Sequence, residues 1–184
     1  MNLIPLIYIE NKKIRTRKNS NPITVKDFLK LYKEKKKIYI LDLDGIHRNK
    51  PNLCTYQRFT SFFEIWVDNG PRNLGDIVDT TMAGATNITL RRKLSPKLTI
   101  QEIREITENN LFENIEINSI NKIHETDGYV VFEETINKSD FKIKELIKNM
   151  VSKNKTYIYV NDVNAKSSWE KLGVAGLLVD LDKI

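Results

Sequence analysis

The sequence predicts an α/β fold: a compact (β/α)8 TIM-type barrel with shortened or missing helices after strands five and eight. Three segments support this prediction, and they appear in order as KIYILDLDGI, FEIWVDNGPR and NITLRRKL. Each is a short apolar run that ends in polar residues, which is the pattern of buried parallel strands. Helical apolar spacing separates these runs, so the chain alternates between the two element types.

Eight candidate strands follow from the apolar runs. They span residues 3–9, 38–43, 63–67, 87–90, 114–120, 129–132, 156–160 and 174–179. Helices are expected to begin after Thr24, near Leu53, near Ile77, after Thr99, at Ser139 and near Ser167. This regular alternation predicts one domain over residues 1–184.

Two positions in the alternation lack a helix. Residues 121–127 leave room only for a loop, and only DLDKI follows the eighth strand. The average unit has about 23 residues, against roughly 31 in a barrel of typical length, so the barrel would be unusually compact. The competing topology is an open doubly wound sheet, which often has a glycine-rich first turn. Residues 10–13 contain no glycine.

Composition argues against several classes of protein. The formal net charge is +6, but the excess lysine is spread along helical faces, so no nucleic-acid partner is expected. The single cysteine can form no internal disulfide, and no segment is apolar over membrane-spanning length. A cytoplasmic protein without membrane contact, metal or other cofactor is therefore expected.

Four longer motifs together indicate a family. LIPLIYIENKKIRTRK, ILDLDGI, VDNGPRNLGDIVDTTMAGATNITL and SSWEKLGVAGLLVD occur in this order across residues 3–180. In order and spacing the chain resembles the histidine-biosynthesis isomerase and cyclase family, and DLDG coupled to NGPR is the most specific part. The resemblance implies a parallel (β/α)8 barrel that descends from an enzyme acting on phosphoribosyl compounds.

The chain departs from this family at both acid/base positions. The resemblance implies an acidic residue in strand one, where this chain has Tyr8, and another late in strand five, where it has Asn118 or Ser119. The resemblance implies an isomerisation that opens a ribose ring. This reaction needs one group that protonates the ribose oxygen and another that removes a proton from the neighbouring carbon. Tyrosine titrates at about pH 10 and asparagine does not titrate, so the parental isomerase activity is expected to be absent.

Charged residues replace most of the glycines that bind phosphate in the family. The candidates for proton transfer are Asp44, Asp68 and Asp162, and the candidates for anion binding are Arg72, Arg91 and Arg92. At the carboxyl ends of parallel strands, they would form a mixed-charge rim that binds a small anionic metabolite. The alternative is that the same side chains cap strands and helices and pair with one another.

Three functional interpretations remain open. The first is a pseudoenzyme that lacks the isomerase activity and binds a small anionic metabolite at its rim. The second is an active isomerase-type or lyase-type enzyme on a phosphorylated sugar derivative, and the third is a silent barrel that serves in assembly or partner binding. The outer faces beside strands five and eight are apolar but lack helices, so a homo-oligomer, most simply a dimer, is expected to cover them.

Overall fold

The computed structural model describes residues 1–115, 125–132 and 141–184. Several sequence-based predictions fall in the two remaining segments: most of the predicted fifth strand, the loop after it and the helix start at Ser139. The roles considered for Asn118 and Ser119 also lie outside the described residues.

Eight parallel strands form a closed barrel, which confirms the prediction of a compact α/β barrel. The strands are β1 (Asn2–Glu10), β2 (Lys13–Arg15), β3 (Lys37–Asp42), β4 (Glu64–Asp68), β5 (Asn87–Leu90), β6 (Asn110–Asn114), β7 (Gly128–Phe132), β8 (Lys155–Val160) and β9 (Gly176–Asp180). The ring closes because β1 pairs in parallel with both β3 and β9. The short strand β2 is antiparallel to β1 and forms a hairpin with it.

The fifth barrel strand, β6, begins earlier than predicted. It spans Asn110–Asn114, whereas the sequence predicted a start at residue 114; residues 116–120 of that prediction lie outside the described part of the chain. The segment NLFEN has only two apolar residues and buries Glu113, so it lacks the apolar run of its neighbours. The Arg92 Nε atom lies 3.4 Å from Glu113 Oε1, and this ion pair compensates for burial of the carboxylate.

Seven α-helices lie in the described part of the chain. They are α1 (Val25–Tyr32), α2 (Leu43–Arg48), α3 (Leu53–Phe59), α4 (Leu74–Met82), α5 (Ile100–Arg104), α6 (Phe141–Lys153) and α7 (Lys166–Lys171). The helices predicted after Thr24 and Thr99, and near Leu53, Ile77 and Ser167, are confirmed. None of these seven helices has the length and apolar content that crossing a bilayer requires.

The sequence does not predict α2. The strand that was expected to continue to Leu43 ends at Asp42, whose Oδ1 atom accepts the backbone N–H groups of Asp44 at 3.0 Å and Gly45 at 3.1 Å. This carboxylate caps a helix that begins directly at the strand end. A Cβ atom at Gly45 would lie 2.5 Å from the Asn69 carbonyl oxygen, so only glycine allows this close approach.

The barrel interior is a packed core. Its buried apolar and aromatic members are Ile4, Leu6, Tyr8, Tyr39, Leu41, Trp66, Phe112, Val130, Tyr159 and Leu178. The ring centroids of Trp66 and Phe112 lie 4.1 Å apart, and Tyr157 packs edge-on against Trp66. Alternate residues of the same strands face the helices and form two outer clusters.

The outer face of the last barrel strand is covered within the chain. Leu177 and Val179 of β9 are fully buried in the outer cluster that contains Trp169 of α7. A short 3-10 helix, Leu181–Lys183, follows β9, and its Leu181 is buried in the other outer cluster. The sequence argument for an exposed face beside strand eight is therefore wrong, because short elements are sufficient to cover a face of this size.

Candidate functional site

Polar side chains meet inside the barrel at the carboxyl ends of its strands. Side chains alternate along a strand, so Asp68 shares the inward side of β4 with Trp66, and Asp180 shares the inward side of β9 with Leu178. We call this cluster the barrel mouth; its members are Tyr8, Asp68, Arg91, Tyr159 and Asp180.

The first part of the barrel mouth is a bidentate ion pair. Arg91 donates from Nε to Asp68 Oδ1 at 2.8 Å and from Nη2 to Asp68 Oδ2 at 2.7 Å. The Tyr39 hydroxyl also donates to Asp68 Oδ2, at 2.9 Å. Burial and the neighbouring Asp68 charge raise the pKa of Tyr39 well above its ordinary value. Asp68 is fully buried, so this pairing provides the compensation that a buried carboxylate needs.

Arg91 reaches from the ion pair towards solvent. Its side chain is 21% exposed, its Nη1 atom lies 3.4 Å from Asn114 Oδ1, and its guanidinium carbon lies 5.7 Å from the Phe132 ring centroid. The aromatic face and the amide oxygen both suit a cation. The guanidinium is thus held in one orientation from several sides.

The second part of the barrel mouth joins two tyrosines to a carboxylate. The hydroxyls of Tyr8 and Tyr159 both donate to Asp180 Oδ1, at 3.1 and 3.0 Å, and the two hydroxyl oxygens lie 3.0 Å apart. Lys183 places its Nζ atom 3.6 Å from Asp180 Oδ2. The pKa of Tyr8 is raised far above its ordinary value, mainly by burial and secondly by the hydrogen bond with Tyr159. Tyr8 therefore stays protonated at neutral pH, and its hydroxyl can donate to Asp180.

Asp44 lies outside the barrel and holds the β1–β2 hairpin. Its carboxylate accepts the backbone N–H groups of Asn11 at 2.8 Å and Lys12 at 2.9 Å, together with side-chain donors from Asn52 and Arg48. Burial opposes ionisation of Asp44, but these hydrogen bonds outweigh it and lower its pKa to about 2.

Three further sequence candidates also lie outside the barrel mouth. Asp162 is exposed after β8 and accepts the Asn164 N–H at 2.9 Å. Arg72 donates to the carbonyl oxygens of Gly45 and Ile46, and so closes the end of α2. Arg92 points to the outer side of the sheet towards Glu113 (see above). The anion-binding and proton-transfer roles of these residues stay predictions.

The structure thus brings together Asp68 and Arg91 of the six candidates and adds residues that the sequence did not single out as site residues. Tyr39 and Tyr159 have the pattern of ordinary strand residues, and Asp180 is not among the six candidates. Strand alternation was the available signal, because it places each of these side chains on the inward side. Their partners come from distant strands, which no local spacing reveals.

In residues 1–115, 125–132 and 141–184, no three histidine, cysteine, aspartate or glutamate side chains are grouped so that they could hold a metal ion.

No protein-family model matches this chain, and no curated protein matches it either. The function proposed for this chain therefore depends on the geometry of the barrel mouth.

Proposed function

We propose that this chain is a divergent (β/α)8 barrel related to the histidine-biosynthesis isomerase and cyclase family, without the ring-opening isomerase activity, and that its barrel mouth binds a small anionic metabolite. One observation supports this most strongly. At the position where the resemblance implies a catalytic acid, the Tyr8 hydroxyl is buried and hydrogen-bonded to Asp180 and Tyr159.

The other candidate acids have contacts that suit structure rather than proton transfer. Asp44 is occupied by the amides of the hairpin turn, and its low pKa makes it a poor base near neutral pH. Asp68 accepts two hydrogen bonds from Arg91, one on each carboxylate oxygen, so both of its oxygens are already engaged. Ring opening requires an acid and a base that face the same substrate, and these contacts argue against such a pair.

Arg91 supports the anion-binding part of the proposal. Its guanidinium is partly exposed at the barrel mouth, whereas the carboxylate that it pairs with is fully buried. A carboxylate or phosphate that enters the mouth therefore approaches the cation rather than Asp68. Tyrosine hydroxyls and the Asn114 amide lie on the same inward surface and offer hydrogen bonds to the hydroxyls of a sugar-like ligand.

Calorimetric titration with ribose 5-phosphate, as a probe of small phosphorylated sugars, tests this proposal. We expect saturable binding that weakens at least tenfold in Arg91→Gln. Asp68→Asn removes the charge that competes for Arg91, so it should tighten binding by about tenfold. Arg58→Gln, an exposed arginine on α3, is the matched control and should bind as the wild type does.

The two variants change the affinity in opposite directions, so misfolding cannot imitate the expected result. Equal affinities in the wild type, Asp68→Asn and Arg91→Gln would show that Arg91 is not part of the binding site. No binding by any variant to a panel of phosphorylated sugars would contradict the metabolite proposal as a whole.

The loss of isomerase activity has its own test. Expression of the chain in a bacterium that lacks the histidine-pathway isomerase should fail to restore growth without histidine. A point variant of the resident isomerase with reduced activity provides the positive control for detection. Restored growth by this chain would refute the proposed loss.

A second candidate function, an active enzyme on a phosphorylated sugar derivative, is favoured by Asp180. This buried carboxylate is held by neutral tyrosine hydroxyls and a lysine at 3.6 Å, rather than by a bidentate arginine. Asp180 is thus not held in a bidentate ion pair as Asp68 is, and it is the carboxylate of the barrel mouth that a ligand would engage. Turnover of a phosphoribosyl substrate that Asp180→Asn abolishes, while ribose 5-phosphate binding persists, would favour this candidate.

We also propose a homo-oligomer, now through a different face. Large apolar side chains are exposed where helices end near the amino ends of the strands: Leu31 by 62%, Phe62 by 49% and Met82 by 76%. Light scattering at micromolar concentration should give a mass above that of one chain, and Met82→Lys should shift it towards monomer. A monomeric wild type would contradict this proposal.

A further inference from the structure

An open cavity of about 320 Å³ lies outside the barrel mouth. It is bounded by the β1–β2 hairpin, by the segment that leads into α1, and by Thr55 of α3. We call it the hairpin cavity. Its volume is in the range of small-ligand pockets. No part of the barrel mouth contributes to its lining.

The floor of the hairpin cavity is apolar. Ile14 is buried, whereas Ile23 and Val25 are half-buried and border the cavity. The Ile23 N–H donates to the Ile14 carbonyl at 2.8 Å, and this bridge fixes the two side chains beside each other. Three branched aliphatic side chains on a fixed backbone offer an apolar or aromatic group a surface that excludes water.

The border of the hairpin cavity is cationic. Lys12 and Lys13 both line it, and both are exposed. Within residues 1–115, 125–132 and 141–184, neither ammonium group pairs with a carboxylate. Residues 12–18, KKIRTRK, contain five cations and no acid. Arg17 pairs with Asp182, and the Asp44 carboxylate lies against the turn, so the attraction for an anion depends on Lys12 and Lys13, which border the cavity.

Lys12 has a backbone conformation that is unusual for a lysine. Asn11 and Lys12 have φ values of 52° and 60°, which makes the hairpin a tight turn with both central residues in the left-handed region. Asparagine and glycine suit this conformation, whereas lysine is strained in it. Asp44 compensates by accepting both backbone N–H groups. The turn itself therefore does not favour a lysine at this position.

We propose that the hairpin cavity is a second binding site, which takes a small amphipathic anion. The apolar or aromatic body of the ligand packs on Ile14, Ile23 and Val25, and its phosphate, carboxylate or sulfonate group lies between Lys12 and Lys13. Neither lysine belongs to the barrel mouth, so this site can be present whether or not the mouth binds a metabolite.

Phenyl phosphate is a suitable probe, and amide chemical shifts locate where it binds. We expect saturable shifts at Ile14, Ile23 and Val25 in the wild type. Inorganic phosphate should bind at least tenfold more weakly, because it lacks the ring. Equal binding of the two probes would overturn the amphipathic class of ligand, and shifts confined to other parts of the chain would overturn the site.

Two double variants with the same change in charge test the lysines. Lys12→Gly with Lys13→Gln should weaken phenyl phosphate at least tenfold while keeping or raising the melting temperature, because glycine relieves the strained turn. The matched control is Lys33→Gln with Lys36→Gln, which removes two exposed lysines beyond the end of α1 and should leave the affinity unchanged. Equal weakening in both double variants would reduce the effect to net charge and overturn the proposal.

Discussion

Two pairs of buried aspartates follow barrel strands in this molecule, and they have different partners. Asp68 and Asp180 lie inside the barrel and are bound by side chains, namely arginine and tyrosine. Asp42 and Asp44 lie outside it and accept backbone N–H groups as well as side-chain donors. The inner pair orders the side chains of the barrel mouth, whereas the outer pair fixes the course of the chain. The position of an aspartate at a strand end therefore does not indicate its role until its side of the sheet is known.

The largest expected effect on stability comes from breaking the buried ion pair between Asp68 and Arg91, compared with breaking the more exposed pair between Asp44 and Arg48. Arg91→Met leaves Asp68 buried beside Tyr39 alone, and it should lower the free energy of unfolding by about 3–5 kcal/mol. Arg48→Met removes the partly exposed partner of Asp44 and should cost less than about 1 kcal/mol. Denaturant unfolding measures both changes. A loss below about 1 kcal/mol for Arg91→Met would mean that the inner ion pair matters no more than an exposed pair.

The outer pair should be visible in the pH dependence of stability. The pKa of Asp44 falls from its ordinary 3.8 to about 2 in the folded chain. At about 1.4 kcal/mol for each pH unit between the two values, Asp44 contributes about 2–3 kcal/mol. Because the folded value is the lower one, this contribution is complete above about pH 4 and is lost as the pH falls towards 2.

The comparison of wild type with Asp44→Asn therefore has a defined shape. The difference in unfolding free energy should be largest near neutral pH and shrink between pH 4 and pH 2 as Asp44 becomes protonated. Asp162→Asn is the matched control, since Asp162 is exposed and asparagine caps as well as aspartate does. If the difference in unfolding free energy between the wild type and Asp44→Asn stayed constant from pH 4 to pH 2, the role given to Asp44 would be contradicted.

The smallest expected effect concerns the tyrosines of the inner pair. Tyr159→Phe removes one hydroxyl donor from Asp180 and should lower the free energy of unfolding by about 1–2 kcal/mol. Tyr157→Phe is the control on the same strand, because no hydrogen bond of its hydroxyl is found among the described residues. Similar losses in both variants would show that the cluster around Asp180 adds little to ordinary packing.

Much of the barrel could be predicted from the sequence because its strands are short apolar runs and its helices carry local start signals. Thr99 and Glu102 form a reciprocal capping box at the start of α5, with the Thr99 N–H donating to Glu102 at 3.0 Å. The early start of β6 was missed because Glu113 interrupts its apolar pattern, and the partner that permits its burial is Arg92, in the turn after β5. The boundary at Asp42 was missed because LDLDG continues the apolar alternation of a strand.

The site was less predictable than the fold. Asp68 ends β4 and Arg91 directly follows the neighbouring strand β5, so their meeting follows once the strand order is known. Tyr8 and Asp180 lie near opposite ends of the chain and meet only because the barrel closes. No spacing along the sequence expresses such a contact, and composition does not distinguish a carboxylate that caps a turn from one inside the barrel mouth.

Closure between the first and last strands has a consequence for synthesis. β9 covers β1 from Asn2 to Leu6, and the hairpin strand β2 covers the remainder of that same edge from Tyr8 to Glu10. While the chain emerges from the ribosome, β2 can form early, but the segment LIPL keeps an unpaired backbone edge until β9 has also been made. Slow translation would lengthen this period, during which nascent copies can adhere to one another.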